Sequence, residues 1–392
     1  MNHYERVCAS INLDAIVNNL KAIHAKQGTG MQIMAVVKSD GYGHGALPIA
    51  RCLEKEDFIY GFATATAEEA LILRRCGISK PIMILGYTFP YAYEDMINED
   101  IAFTVFRKDM VKEISDLAVK LGKNAKVHVK VDTGMHRIGI RPEEEGMSFM
   151  KELLSLPGIT AEGIFTHLAN ADAEDKAEAY EQVKIFKDFV KEIQDETGHV
   201  FNVRHCFNSA ALMEMSDEDL NVGRVGISMY GVWPSDEMKK DVISLEPALS
   251  LHSKIVYIKT LPADCKISYG GTYVTTKETK VATVPVGYGD GYPRGLSNCG
   301  YVLIRGMRCP ILGRVCMDQF MIDVTHLPDV KEGEKVTLIG KDGAEEITVE
   351  LLCDLYGGFR YEMICDIGKR VPKEYYLNGE QIYSKDYHND LA

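Results

Sequence analysis

Lys38 closes the run MAVVK, and Gly41, Gly43 and Gly45 follow at alternate positions. A lysine walled by apolar side chains loses hydration of its ammonium. Its pKa falls, and the neutral amine can attack an aldehyde to form a Schiff base. Glycines just beyond it let the backbone close on a bound group. Far along the chain, Ser209 in NSAA and Gly226 in VGRVGI supply a hydroxyl and a bare backbone suited to a phosphate. An imine-forming lysine together with a phosphate seat points to pyridoxal phosphate. Taken singly, a lysine at a strand end is more often a solvated terminus, so the chemistry rests on elements that bring the other groups to it.

Those elements alternate in kind. From about residue 31 to about 232, short apolar runs (MQIMAVVK, FIYGFAT, PIMILG, IAFTVF, AKVHVKV, ITAEGIFTHL, VRHCFNS, VGRVGISMYGV) are separated by amphipathic stretches such as AEAYEQVKIFKDFVKEIQDE. Eight such units predict an α/β fold, a (β/α)8 TIM-like barrel, rather than an open sheet. Beyond about Ser244 strands and turns take over, which predicts a second, mostly β C-terminal domain. The boundaries expected are 15–243 for the barrel and 1–14 plus 244–392 for the β domain. The opening RVCASINL precedes the first barrel strand by a helix and is a candidate to pair with the β domain. The polar end NGEQIYSKDYHNDLA reads as a loosely held tail.

Barrel chemistry sits at the C-terminal ends of strands. Lys38, then Lys130 with Asp132 and Arg137, then His167, Ser209 and finally Arg224, Gly226 and Ile227 occupy those positions in order. They are expected to converge on one mouth.

Composition narrows the partners. The chain has 392 residues, 46% of them apolar, and 44 basic against 57 acidic residues leave a formal charge of -13. Such a balance disfavours nucleic acid and anionic membrane surfaces. No run approaches the roughly 18 apolar residues of a membrane span, and no secretory leader pattern opens the sequence, so a cytoplasmic protein is expected. Ten cysteines without a C-x-x-C pair read mostly as buried thiols, and no metal is assigned.

Several long segments, in order, give the chain its resemblance: AVVKSDGYGHG, VKVDTGMHRIGI, THLANAD, NSAA, VGRVGISMYGV, ISYGGTY, VPVGYGDGYPRG, ILGRVCMDQFMIDVT and YEMICDIGKRVPK. Together they resemble the alanine racemases, pyridoxal phosphate enzymes that pair such a barrel with a β domain. The resemblance implies interconversion of L-alanine and D-alanine, with D-alanine supplied for peptidoglycan. It implies a homodimer with active sites shared across the interface.

It also assigns roles. Lys38 carries the cofactor as an imine and serves as one base. Inversion needs a second acid/base on the opposite face of Cα, and the resemblance places it on Tyr269 of a second subunit. Arg224 faces the pyridine nitrogen; a guanidinium does not surrender its proton, so the ring stays a weaker electron sink. Tyr42, Ser209, Gly226, Ile227 and Tyr361 hold the phosphate, and His167 packs beside the ring. Arg137 and the backbone N–H of Met317 take the substrate carboxylate. Lys130 matches a lysine that is carbamylated in many relatives. Asp172, Tyr288, Arg294 and Arg314 match residues of a narrow entrance. Without the resemblance, Tyr269 reads as a packing residue, Arg224 as half of a salt bridge, His167 as structural and Met317 as core.

The sequence departs from the commoner pattern at Asn170, Gly289, Phe359, Arg360 and Lys373, none of which removes a catalytic group. Serine-racemising relatives tend to carry asparagine at the position of Tyr361 and a membrane domain ahead of the barrel, and the chain shows neither, so alanine is preferred over serine or a broader substrate range. A decarboxylase of basic amino acids would need an acidic pocket, and a non-catalytic pyridoxal phosphate binding barrel would lack the β domain and Tyr269.

Overall fold

The structure, a computed structural model, describes residues 4–28 and 30–388. Eight strands form the barrel: Gln32–Val36, Ile59–Thr64, Ile82–Ile84, Phe103–Val105, Ala125–Lys130, Ile159–Phe165, Val203–His205 and Val222–Val225. Every pairing among them is parallel, in two runs of four strands. Backbone bonds close both seams: Ala102 N donates to Ile82 O at 2.9 Å, and Arg224 N to Phe207 O at 2.9 Å. Helices cover the outside, so the strands are buried on both faces and read as near-continuous apolar runs. All eight runs expected from the sequence are strands, each shorter than its apolar run.

The N-terminal strand Val7–Asn12 belongs to the other layer. It pairs antiparallel with Leu249–Lys254 and parallel with Lys373–Leu377, inside an 11-stranded sheet built otherwise from the C-terminal region. Asn12 then starts the first helix, Leu13–Gln27, its side chain accepting from Ala15 N at 3.1 Å.

Three expectations need correction. The tail is held: Glu380–Lys385 pairs antiparallel with Lys373–Leu377, and Tyr387 Oη donates to Asp40. An edge strand needs backbone partners more than apolar side chains, so its polar composition misled; the last four residues of the segment lie outside the described ones. The ten cysteines are all free, yet only Cys8, Cys206, Cys309 and Cys353 are buried, while Cys76 and Cys299 are exposed.

The first barrel strand, in turn, stops at Val36, short of Lys38. From Ser39 to Tyr42 the backbone is left-handed, with φ of 53°, 50°, 65° and 51°. Three of these residues are not glycine, and each costs about 1–2 kcal/mol in that region, so the turn requires outside support. Asp40 Oδ1 accepts from Ala46 N at 3.0 Å, and Glu69 accepts from Ser39 N and Ala65 N. The turn also lies against the C-terminal layer. A Cβ on Gly43 would stand 2.1 Å from Ile364 O, and one on Gly45 1.9 Å from Tyr375 Oη.

Among the described residues no helix is long and apolar enough to cross a membrane.

Candidate active site

One cavity of ≈ 660 Å³ opens at the C-terminal ends of the barrel strands. Its walls carry Lys38, Tyr42, Lys130, Arg137, His167, Asp172, Ser209, Arg224, Gly226, Ile227 and Tyr361. Residues spread over more than 300 positions meet there because each ends, or follows, a parallel strand pointing the same way. Tyr361 is the exception, arriving from the helix Arg360–Cys365 of the C-terminal region.

The cationic side holds two lysines and two arginines. Burial, with the Arg137 charge second, lowers the Lys38 pKa from its ordinary value. Burial and then Arg224 push Lys130 down to about 7, and its Nζ donates to Val131 O at 2.6 Å. Arg224 is 3% exposed. It donates to the carbonyls of Thr166, His205 and Cys206 at 2.7, 2.9 and 3.1 Å and to the Nδ1 atoms of His205 and His167 at 3.0 and 3.3 Å. All five acceptors are uncharged groups when the imidazoles are neutral, and burial with the Arg224 charge holds both histidines well below their ordinary pKa. The guanidinium is therefore fixed in position without a carboxylate to neutralise it.

The opposite side is a seat for an anion. Ser209 Oγ accepts the Gly226 N–H at 2.9 Å, and Ile227 opens a short 3-10 turn, Ile227–Tyr230, whose first N–H groups have no partner within the turn. The rings of Tyr42 and Tyr361 stand 6.2 Å apart, and burial raises both phenols, which keeps them hydrogen-bond donors. A Cβ on Gly226 would stand 2.7 Å from Tyr42 Oη. Such a cradle of neutral hydroxyls and amides, facing a buried lysine and an arginine across one cavity, fits pyridoxal phosphate in its donor set.

Other predicted residues are elsewhere in the chain. Tyr269 and Met317, 71% and 53% exposed, line a separate open depression on the β domain with Ser268, Gly270 and Asp318. Arg314 lies beside it, its carbonyl accepting from Ser268 Oγ at 2.6 Å. Tyr288 is in the turn Tyr288–Asp290, which grips the same segment: Tyr288 N donates to Cys316 O at 3.1 Å and Gly289 N to Met317 O at 2.9 Å. Arg294 follows in the turn Arg294–Leu296, off the cavity wall.

Glu362, Cys365 and Asp366 also line the cavity and were missed, while Phe359, singled out in the sequence as a departure from the family pattern, lines it too. The spacing held a signal, since 361 and 365, like 362 and 366, fall four apart and share a helix face.

Comparison with known proteins agrees with this architecture. The family model for the alanine racemase N-terminal domain matches residues 11–234, and that for the C-terminal domain matches residues 248–375. The alanine racemase of Clostridium perfringens is 44% identical over 381 residues, covering 97% of this chain and 98% of that protein. Among solved structures, alanine racemase from Clostridium difficile superposes with a TM-score of 0.92 at 40% identity, covering 98% and 100% of the two chains. The Bacillus anthracis alanine racemase with bound L-Ala-P gives 0.92 at 38% identity, with both chains covered in full.

Proposed function

The chain belongs to the alanine racemase family, and from that premise we propose that its cavity racemises alanine with pyridoxal 5′-phosphate held on Lys38. The observation that carries this reading is the placement of Lys38, its charge disfavoured by burial, in the same cavity as Arg224 and the Tyr42, Ser209 and Tyr361 hydroxyls. When bound, the cofactor draws electron density from the substrate and makes its Cα proton acidic.

The chain's residues divide the remaining tasks. Lys38 holds the cofactor and moves a proton at one face of Cα. Tyr42, Ser209, Tyr361 and the backbone of Gly226 and Ile227 hold the phosphate with short hydrogen bonds. Arg224, fixed by five acceptors and unable to act as an acceptor itself, would hold the ring nitrogen and would leave it without a proton, with His167 beside it. An unprotonated ring would withdraw less charge and would favour return of the proton to Cα.

A second proton carrier must act from the opposite face, and the proposal assigns it to Tyr269 of a second copy in a homodimer. Met317 of that copy directs its backbone N–H, and Arg137 its guanidinium, to the substrate carboxylate. Exposure of Tyr269 and Met317 on one face supports delivery across an interface. Asp172 guards the mouth from within the chain, with Tyr288, Arg294 and Arg314 contributed by the other. Lys130, its charge disfavoured by burial and by Arg224, reacts through its amine nitrogen with carbon dioxide and releases a proton. The resulting carbamate pairs with Arg137.

The proposal places the enzyme in the cytoplasm, supplying D-alanine for peptidoglycan. It divides the chain into the barrel, 15–243, and the β domain, 1–14 plus 244–392, supported by the pairing of Val7–Asn12 within the C-terminal sheet.

The test is an absorbance spectrum of the purified holoenzyme before and after borohydride, peptide mapping of the adduct, and an assay of L-alanine with D-amino-acid detection. A band near ~420 nm lost on reduction, an adduct at Lys38 and D-alanine formation are expected. An adduct without D-alanine would overturn the substrate assignment, and absence of an adduct would overturn the cofactor site.

A further inference from the structure

Behind Arg224 a line of side chains continues into the barrel interior. Arg224 Nη1 lies 3.0 Å from His205 Nδ1, His205 Nε2 lies 3.0 Å from His128 Nδ1, and His128 Nε2 lies 3.2 Å from Glu162 Oε2. Both imidazoles are fully buried, His205 0% and His128 1% exposed. His205 is also clamped by the Phe165 ring, stacked at 4.7 Å.

The hydrogens in this line have one arrangement. Arg224 can only donate, so His205 Nδ1 must accept. A neutral His205 then carries its hydrogen on Nε2 and donates it to His128, whose Nδ1 must accept in turn. The hydrogen of His128 is left on Nε2, facing a carboxylate that accepts it. Each donor points the same way, from Arg224 to Glu162, and the His128 hydrogen bond holds the Glu162 carboxyl below its usual range against the opposing effect of burial. The backbone is cut to fit: a Cβ on Gly163 would stand 2.3 Å from His128 Nδ1.

We propose that Glu162 and His128 are positioning residues for the reaction, setting the His205 tautomer that offers Arg224 a lone pair. Without the carboxylate at its far end, Arg224 alone is left to hold the line in its direction. A His205 tautomer with hydrogen on Nδ1 would turn an N–H toward the guanidinium, and Arg224 would give up one of its five acceptors. Glu162 thus acts on the cofactor ring through three intervening groups and never touches it. The inference rests on the reading that Arg224 faces the ring nitrogen.

The experiment compares Glu162→Leu, which removes the acceptor, with Glu162→Gln, which keeps one oxygen. Nitrogen-15 NMR of histidine-labelled apoprotein should report His205 with hydrogen on Nε2 in the parent and Glu162→Gln, and a mixture of tautomers in Glu162→Leu. In the holoenzymes, Glu162→Leu should lower kcat about tenfold, the size one hydrogen bond carries, with KM nearly unchanged. It should also raise the share of turnovers that leave the cofactor in its amine form, and Glu162→Gln should restore all three readings. A fold-stabilising role alone would lower Tm and leave tautomer, kcat per bound cofactor and partition unchanged, which would overturn the proposal. Arg224→Lys separates the two readings: if it leaves the cofactor spectrum and partition untouched, the placement of Arg224 at the ring fails. A tautomer change without any kinetic change in Glu162→Leu, where Arg224→Lys does respond, overturns the relay.

Discussion

Ser209 Oγ accepts the Gly226 N–H at 2.9 Å, so a side chain, as well as the backbone bond from Arg224 N to Phe207 O, closes the seam between the seventh and eighth barrel strands. The hydroxyl keeps its own hydrogen for an anion, and the missing Gly226 side chain leaves Tyr42 Oη its place. Gly226→Ala sets a methyl 2.7 Å from that oxygen. Overpacking of about 1–3 kcal/mol should weaken pyridoxal phosphate binding roughly 10- to 100-fold. An absorbance titration of the apoprotein measures it, and an unchanged Kd would remove Gly226 and Tyr42 from the phosphate seat.

Lys130 gives the fold a pH signature. Its folded pKa is about 7 against an ordinary value of 10.5. Between those values the unfolded chain binds a proton that the folded chain has shed, so this group makes stability rise with pH across that window. Below it both states are protonated and the contribution is flat. Lys130→Met removes the dependence. Urea midpoints of bicarbonate-free apoprotein should therefore show the parent gaining on the variant from pH 7 to 10, and parallel profiles would contradict the buried amine.

Shared active sites can be read by mixing inactive chains. Lys38→Ala and Tyr269→Ala, each silent alone, should regain activity when combined, because one site of a mixed dimer receives both intact residues. No recovery despite subunit exchange, followed by mass spectrometry of the dimers, would place Tyr269 outside the reaction.

Gly163→Ala drives a methyl into the His128 imidazole. A loss of about 1–3 kcal/mol is expected in urea unfolding, and His128→Ala should relieve it, so the double variant is more stable than the sum of the singles predicts. Strict additivity would mean the two positions do not touch.

Much of the site could be read from the sequence because a parallel barrel sends every strand end to one face. Lys38, Lys130, His167, Ser209 and Arg224 each end or follow an apolar run, and that pattern needs no side-chain detail. The line from Arg224 to Glu162 was hidden for the converse reason. His128 sits inside its strand between Val127 and Val129, which mask it, though the two-residue spacing of His128 and Lys130 puts both on one face; His205 ends its own strand beside Arg204, with nothing in its neighbours to tie it to His128. The left-handed backbone after Lys38 was equally hidden. Ser39, Asp40 and Tyr42 have no local preference for it, and its support comes from Glu69, Ala46 and residues more than 300 positions away.

That last dependence bears on how the protein is made. The turn carrying Lys38 leaves the ribosome more than 300 residues before Ile364, Tyr375 and Tyr387, which brace it. A nascent barrel can assemble its strands and still hold its lysine in an unfinished shape, so cofactor capture is expected to wait until those bracing residues have emerged, as a lock stays open until its final pin is seated.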